Sequence, residues 1–261
     1  MLTYTFPHDI EDRIFEWAAL LLPGEAGHFA VVCKRLQIRV EYIMYEYLFF
    51  TRTSYRGLAE MANPDRFKYT LGVRPAELFA TRVRNIAFMY NVGSDFAQSL
   101  VAKCTGARTV AFWVLTPRLS GYGASFLPLA SSLVAISASP YTVNEIATSG
   151  VVFPCVRYLG LMGFSRDPLL PLDWLPNLLT MQVDLNKPET DQWVYDTKLA
   201  ISTAPFLEMV IFDVDPDWLH KVKPKRPELG DEAGILFRNR EAEHIIFRWR
   251  AFAYSDDMIF D

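Results

Sequence analysis

Val83-Arg84-Asn85-Ile86-Ala87-Phe88 and, 24 residues later, Ala107-Arg108-Thr109-Val110-Ala111-Phe112 place apolar residues at the same three positions: the first, fourth and sixth. Four more segments share that order: Ser131/Val134/Ile136, Val156/Leu159/Leu161, Leu178/Met181/Val183 and Leu207/Val210/Phe212, the first of them opening on a serine. First positions at 83, 107, 131, 156, 178 and 207 are separated by 24, 24, 25, 22 and 29 residues. Positions four and six alternate with the two-residue period of a strand, so both side chains point to one face. A single unit of this size cannot bury that face alone. Neighbouring units must stack into a parallel sheet with a continuous core.

A period of about 20–29 residues with this pattern is the mark of leucine-rich-repeat architecture. The expected fold is therefore α/β: a helical cap over 1–47, then a leucine-rich-repeat-like solenoid with a parallel β-sheet and an irregular end over 48–261. Between the strands, Ser94 to Gly106, Ser139-Pro140 to about Thr148 and 190–202 carry helix starts, apolar stripes and stops. Residues 75–79 read as a short helix feeding the strand at Val83. The glycines and prolines between Pro117 and Pro128, and the prolines between Asp167 and Pro176, point to irregular connections. From Asp213 the pattern dissolves, and Ile245-Ile246-Phe247 is the candidate last strand.

Composition narrows the function. Hydrophobic residues make up 51% of the 261 and aromatics 14%, enough for a core and against disorder. The net charge of −4, from 26 basic and 30 acidic residues, gives no field that favours nucleic acid. Cys33, Cys104 and Cys155 lie among apolar neighbours at spacings that suit neither a disulfide framework nor zinc, which fits a reducing compartment. The first apolar run, Ile14 to Leu22, follows Asp9, Glu11 and Asp12 rather than a basic segment, so no signal peptide is read. No apolar stretch reaches the eighteen residues of a membrane span. The expectation is a cytoplasmic monomer, with the nucleus as alternative because of the basic loop Lys221-Val222-Lys223-Pro224-Lys225-Arg226.

Familiar chemical motifs fail on inspection. Gly121-Tyr122-Gly123 lacks the third glycine of a dinucleotide fingerprint, with Phe126 in its place. Asp213-Val214-Asp215 starts like a calcium loop, yet Trp218 stands where the glycine belongs and Pro224 where the glutamate belongs. Asp256, Asp257 and Asp261 read as an exposed tail. His8, His28, His220 and His244 have no metal-ligand spacing. No serine sits in a nucleophile elbow. No cofactor and no catalytic residue is expected.

The N-terminal residues carry more information. Ile10, Ile14, Trp17, Ala18 and Leu21 follow a helical period, Asp9, Glu11 and Asp12 suit the positive end of that helix, and Pro23-Gly24 ends it. Leu36, Val40, Ile43 and Met44 continue helically. Phe6-Pro7-His8-Asp9-Ile10, Ile14-Phe15-Glu16-Trp17-Ala18 and Val31-Val32-Cys33-Lys34-Arg35 resemble the F-box-like segment of a large fungal group. That group reads Leu-Pro-x-Glu/Asp-Ile, then Ile-Phe-x-x-Ala, then Leu-Val-Ser/Cys-Lys/Arg-Arg. Here Phe6 replaces the leucine, and no tryptophan follows the Lys34-Arg35 pair. Tyr45/Leu48/Phe50 fits the repeat template as an atypical first unit.

The resemblance implies a substrate-recognition subunit of a Skp–cullin–F-box ubiquitin ligase. Pro7, Ile10, Ile14, Phe15 and Val32 would meet the Skp-family adaptor, and the concave sheet face would meet an unknown protein substrate. On that face the fifth repeat positions are Ala87, Ala111, Ala135, Gly160, Gln182 and Ile211. They form a small-residue trough flanked by Met89, Trp113, Ser137, Tyr158 and Met162. Two other readings of the trough remain: a site for a small apolar ligand, with an enzyme among its forms, and a protein-binding scaffold with no ligase link.

Overall fold

The computed structural model describes residues 7–21, 25–51, 63–89, 92–113, 122–162, 169–185, 192–215, 217–218, 222 and 234–239. Its described strands are β1 (Tyr47–Phe50), β2 (Asn85–Met89), β3 (Thr109–Trp113), β4 (Ala135–Ala138), β5 (Tyr158–Leu161), β6 (Thr180–Leu185), β7 (Met209–Val214) and β8 (Gly234–Asn239). They form one eight-stranded sheet whose spatial order is the chain order. Every neighbouring pair is parallel.

Parallel neighbours require crossovers, and these supply the second layer. Helices α1 (His8–Leu21), α2 (Ala26–Ala30) and α3 (Lys34–Glu46) precede the sheet. Then α4 (Pro64–Val73) and α5 (Ala76–Arg82) lead into β2, and α6 (Ser94–Lys103) joins β2 to β3. A short α7 (Tyr122–Phe126) with a 3-10 turn, Leu127–Leu129, leads into β4. Finally α8 (Pro140–Thr148) joins β4 to β5, and α9 (Gln192–Thr203) joins β6 to β7. The α7 turns fall within the stretch expected to be irregular. Local chemistry sets several boundaries. Ser139 caps α8 by accepting from the Thr142 amide at 3.3 Å, with Pro140 opening the helix. Asn63 caps α4 by accepting from the amides of Asp65 and Arg66. Gly93, not Ser94, is the N-cap of α6. Gly106 allows a close approach, because a Cβ there would lie 2.2 Å from the Ala80 carbonyl oxygen.

The core is built from two rows of strand residues. Leu48, Ile86, Val110, Ile136, Leu159, Met181, Val210 and Ile235 form one row in register. Phe50, Phe88, Phe112, Ala138, Leu161, Val183 and Phe212 form the next. Phe50, Phe88 and Phe112 stack across three strands, with centroids 5.8 and 4.9 Å apart. Phe96, Leu100, Val101, Val143, Ile146, Trp193 and Val194 from the crossover helices join the same buried cluster. The helices therefore cover one face of the sheet. Between β5 and β6, Leu169, Leu172, Trp174 and Leu175 fill the core from turns.

Two expectations are corrected: the frame of the fourth unit and the loss of pattern from Asp213. The fourth unit is Leu133/Ile136/Ala138, since Ile136 pairs with Val110 and Leu159. Ser131 is exposed and Val134 half-buried, so Ser131/Val134/Ile136 lay two residues out of frame. The described last strand is β8, over Gly234–Asn239, whose unit reads Glu232/Ile235/Phe237. An acidic residue at its first position hid it. Asp213 and Val214 belong to β7 rather than to a loop, and the Asp213 carboxylate is buried. Residues 219–221 and 223–226 of the basic-loop region, His220, His244, Ile245-Ile246-Phe247, Asp256, Asp257, Asp261, Gly121 and Phe6 lie outside the described residues. Among the described residues, no helix is long and apolar enough to cross a membrane.

Candidate functional site

Two regions gather the residues singled out in the sequence: the first three helices, and the sheet face opposite the crossover helices.

Helix α1 has two apolar sides. Asp12, Phe15 and Ala19 turn towards α2 and α3: Ala19 packs with Ala26 and Val40, and Phe15 meets Phe29 edge-on at 5.9 Å. Four charged contacts lock that packing. Arg35 reaches Glu11 at 2.5 Å and Asp12 at 2.9 Å, and Arg39 reaches Asp12 at 3.0 Å and Glu16 at 2.6 Å. The Arg35 guanidinium bonded to Glu11 holds that carboxyl below its ordinary pKa. On the other side Ile10, Ile14, Trp17 and Leu21 are 43, 51, 64 and 71% exposed. Their spacing of 4, 3 and 4 residues places them on one stripe. Val31 and Val32, in the turn between α2 and α3, are 82 and 58% exposed. Of the five residues expected to meet an adaptor, Pro7, Ile10, Ile14 and Val32 are exposed and Phe15 is half-buried against Phe29. The helical period read in α1 is real, but its strongest stripe faces solvent.

The second face of the sheet has a central row of Phe49, Ala87, Ala111, Ser137, Gly160, Gln182, Ile211 and Leu236. Ser137 occupies the place expected of Ala135, which lies one row away beside Thr109 and Tyr158. The two-residue frame slip in the fourth unit accounts for this. Gly160 is needed where it stands: a Cβ would sit 2.8 Å from Ser137 Oγ. That hydroxyl accepts from Trp113 Nε1 at 3.0 Å.

The face changes character along the sheet. Over β1–β3, Phe49, Ala87, Met89, Ala111 and Trp113 form a buried apolar cluster, with Met162 packed against it. Ala87 and Ala111 have no exposure at all. At these two positions the small-residue column is closed to solvent, while Ser137, Gln182 and Ile211 further along it are half-buried. Over β5–β7 the face is polar. The Tyr158 hydroxyl donates to the Gln182 side-chain oxygen, and the Gln182 amide donates to the Asp213 carboxylate. Thr109 Oγ1 donates to Asn85 Oδ1 at 2.6 Å in the adjacent row. The sequence reading missed this Asn85–Thr109 pair, although polar residues at one repeat position in successive units were the signal for it. These donors and acceptors are satisfied by one another, as buried polar groups must be. None forms a nucleophile–base pair. Among the described residues no three His, Cys, Asp or Glu side chains are grouped to hold a metal ion.

In comparison with known proteins, no family model matches the chain, and no curated protein does.

Proposed function

We propose that this chain is an F-box-like substrate-recognition subunit of a Skp–cullin–F-box ubiquitin ligase, with the three-helix segment as adaptor module and the sheet as a leucine-rich-repeat-like solenoid. The observation that carries the reading is the α1 stripe of Ile10, Ile14, Trp17 and Leu21, exposed on a helix whose opposite side is already packed. Large apolar side chains gathered on one surface mark an interaction site. The stripe also falls on the residues that resemble the F-box pattern. A sheet in strict chain order, with its crossover helices on one face, supports the solenoid part. The reading asks for no catalytic group in the chain. The small-ligand alternative loses ground because Ala87 and Ala111, its intended floor, have no solvent contact.

The test is co-purification of the full chain with a Skp-family adaptor, followed by titration calorimetry. A stable interface needs roughly 800 Å² from each partner, so Ile10→Asp with Ile14→Asp is expected to abolish binding while the sheet stays folded by circular dichroism. Absence of binding by the unmodified chain, or equal binding by the double variant, overturns the adaptor assignment.

A further inference from the structure

The exposed residues of α1, Ile10, Ile14, Trp17 and Leu21, follow one another at spacings of 4, 3 and 4. This is the seam spacing of a coiled coil, the d, a, d and a positions of successive heptads. Read from its C-terminal end, the series is again 4, 3 and 4. A second copy of α1 running antiparallel therefore meets it position for position, Ile10 with Leu21 and Ile14 with Trp17. A parallel copy would set Trp17 against its own image, whereas the antiparallel one gives each indole the smaller Ile14. At about 100° per residue, the stripe lies roughly half a turn away from Asp12, Phe15 and Ala19. Helices α2 and α3 are thus behind α1, and the approach to the stripe is open. A surface that is its own complement under a two-fold rotation is what an isologous dimer requires.

We infer that two copies of the chain pair reversibly through α1, as antiparallel helices about a two-fold axis, and that this dimer covers the stripe when no adaptor is bound. The four side chains present roughly 500 Å² on each copy, about 1,000 Å² for the pair. That is the lower limit of a specific interface, against about 800 Å² from each partner in a standard one, so the dimer is weak and dissociates on dilution. An adaptor with the larger interface displaces the second copy. The pairing follows from the stripe alone. Its regulatory meaning, a free subunit that keeps its adaptor surface covered, rests on the adaptor reading.

The test is sedimentation of the full chain from about 3 to about 300 µM. The weight-average mass is expected to rise at least 1.5-fold across that range. Ile14→Asp and Trp17→Asp should each hold it at the monomer, with the fold checked by circular dichroism. Tyr69→Asp, the same kind of change at an exposed residue of α4, should keep the rise. Orientation is read by cross-linking in a Cys33→Ser, Cys155→Ser background, which removes both exposed thiols. Cys104 stays silent there, because burial pushes its thiol up to about 12. A short bis-maleimide should join Ile10→Cys chains to Leu21→Cys chains in a mixture. It should not join either to itself, since the two copies of residue 10 lie about 16 Å apart along antiparallel helices. No rise in mass overturns the proposal. So does a rise kept by both aspartate variants, a rise lost equally in Tyr69→Asp, or cross-linking of Ile10→Cys chains alone. A chain that stays monomeric and instead floats with phosphatidylcholine–phosphatidylserine vesicles overturns it too. Added Skp-family adaptor should convert the dimer to one-to-one complexes, and an adaptor complex that keeps the dimer refutes the covering role. Failure of the adaptor to bind the dilute monomer refutes the adaptor reading and leaves the dimer standing.

Discussion

Single residues show where the packing leaves no slack. Asp196 on α9 accepts from the Leu169 amide at 3.0 Å and from the Gln192 side chain at 2.8 Å, both at Oδ1. Burial raises its pKa despite these bonds. A carboxyl whose folded pKa is raised binds its proton more tightly in the native state, so its contribution to stability falls as pH climbs from the unfolded to the folded value. Asp196→Asn keeps the acceptor and removes the half-buried charge. It is expected to match or exceed the parent in denaturant midpoint at pH 7. Asp196→Ala leaves the buried Leu169 amide without its partner and should lose about 1–3 kcal/mol. Gly160 makes a second case. Gly160→Ala should displace the Ser137 hydroxyl from Trp113 and lower stability by about 1–3 kcal/mol through overpacking. With Ser137→Ala added, the combined loss should fall short of the sum, because the two residues share one contact. Neither constraint was legible beforehand. Asp196 meets Leu169 across 27 positions, and the fourth unit was read out of frame.

Among the elements, the strands were the most legible, because each writes the same apolar code into a few contiguous residues. Five of the six proposed units have the expected register. The fourth failed because Val134 and Ile136, like Ile136 and Ala138, are both apolar pairs two apart, and spacing alone does not choose between them. The eighth failed because Glu232 breaks the code. A period reports that a helix has an apolar stripe, but not whether that stripe faces the core. For α1 the deciding groups are charged: Asp12, only 5% exposed, sits between Arg35 and Arg39. Removing Asp12 takes away the one buried carboxylate that both arginines share and leaves Arg35 and Arg39 with a single glutamate partner each on α1. Asp12→Ala should therefore release α1 from α3. Hydrogen exchange should show α1 amides losing protection while β3–β6 keep theirs, and equal loss in both would refute the idea that α1 docks as a separate unit. Acid should act in the same direction. The lowered pKa of Glu11 means its contribution is complete above the ordinary carboxylate range and disappears as pH falls through the folded value.

For the whole molecule, chain order equals spatial order, and this follows from the repeat spacing. Units of 22 to 29 residues leave room for one strand and one crossover, so each strand finds its predecessor as nearest neighbour. Stability should then be close to a sum of neighbouring interfaces. Leu159→Ala, in the middle of the core row, is expected to lose about 2–5 kcal/mol. Denaturant unfolding followed by tryptophan emission and by circular dichroism should then give non-coincident curves, because Trp113 and Trp193 lie on opposite sides of the weakened interface. Coincident curves would show that cooperativity spans the full sheet.

A sheet laid down in this order also has a mechanical grain. No hydrogen bond ties β1 to β8, so tension applied at the β8 end bears on one interface at a time. Held in an optical trap by the two ends, the molecule should tear like a perforated strip, in a series of small yields. A ring-closed sheet of equal size would instead resist until it broke at once. Cellular machines that pull proteins apart from a terminus would meet the same succession of low barriers.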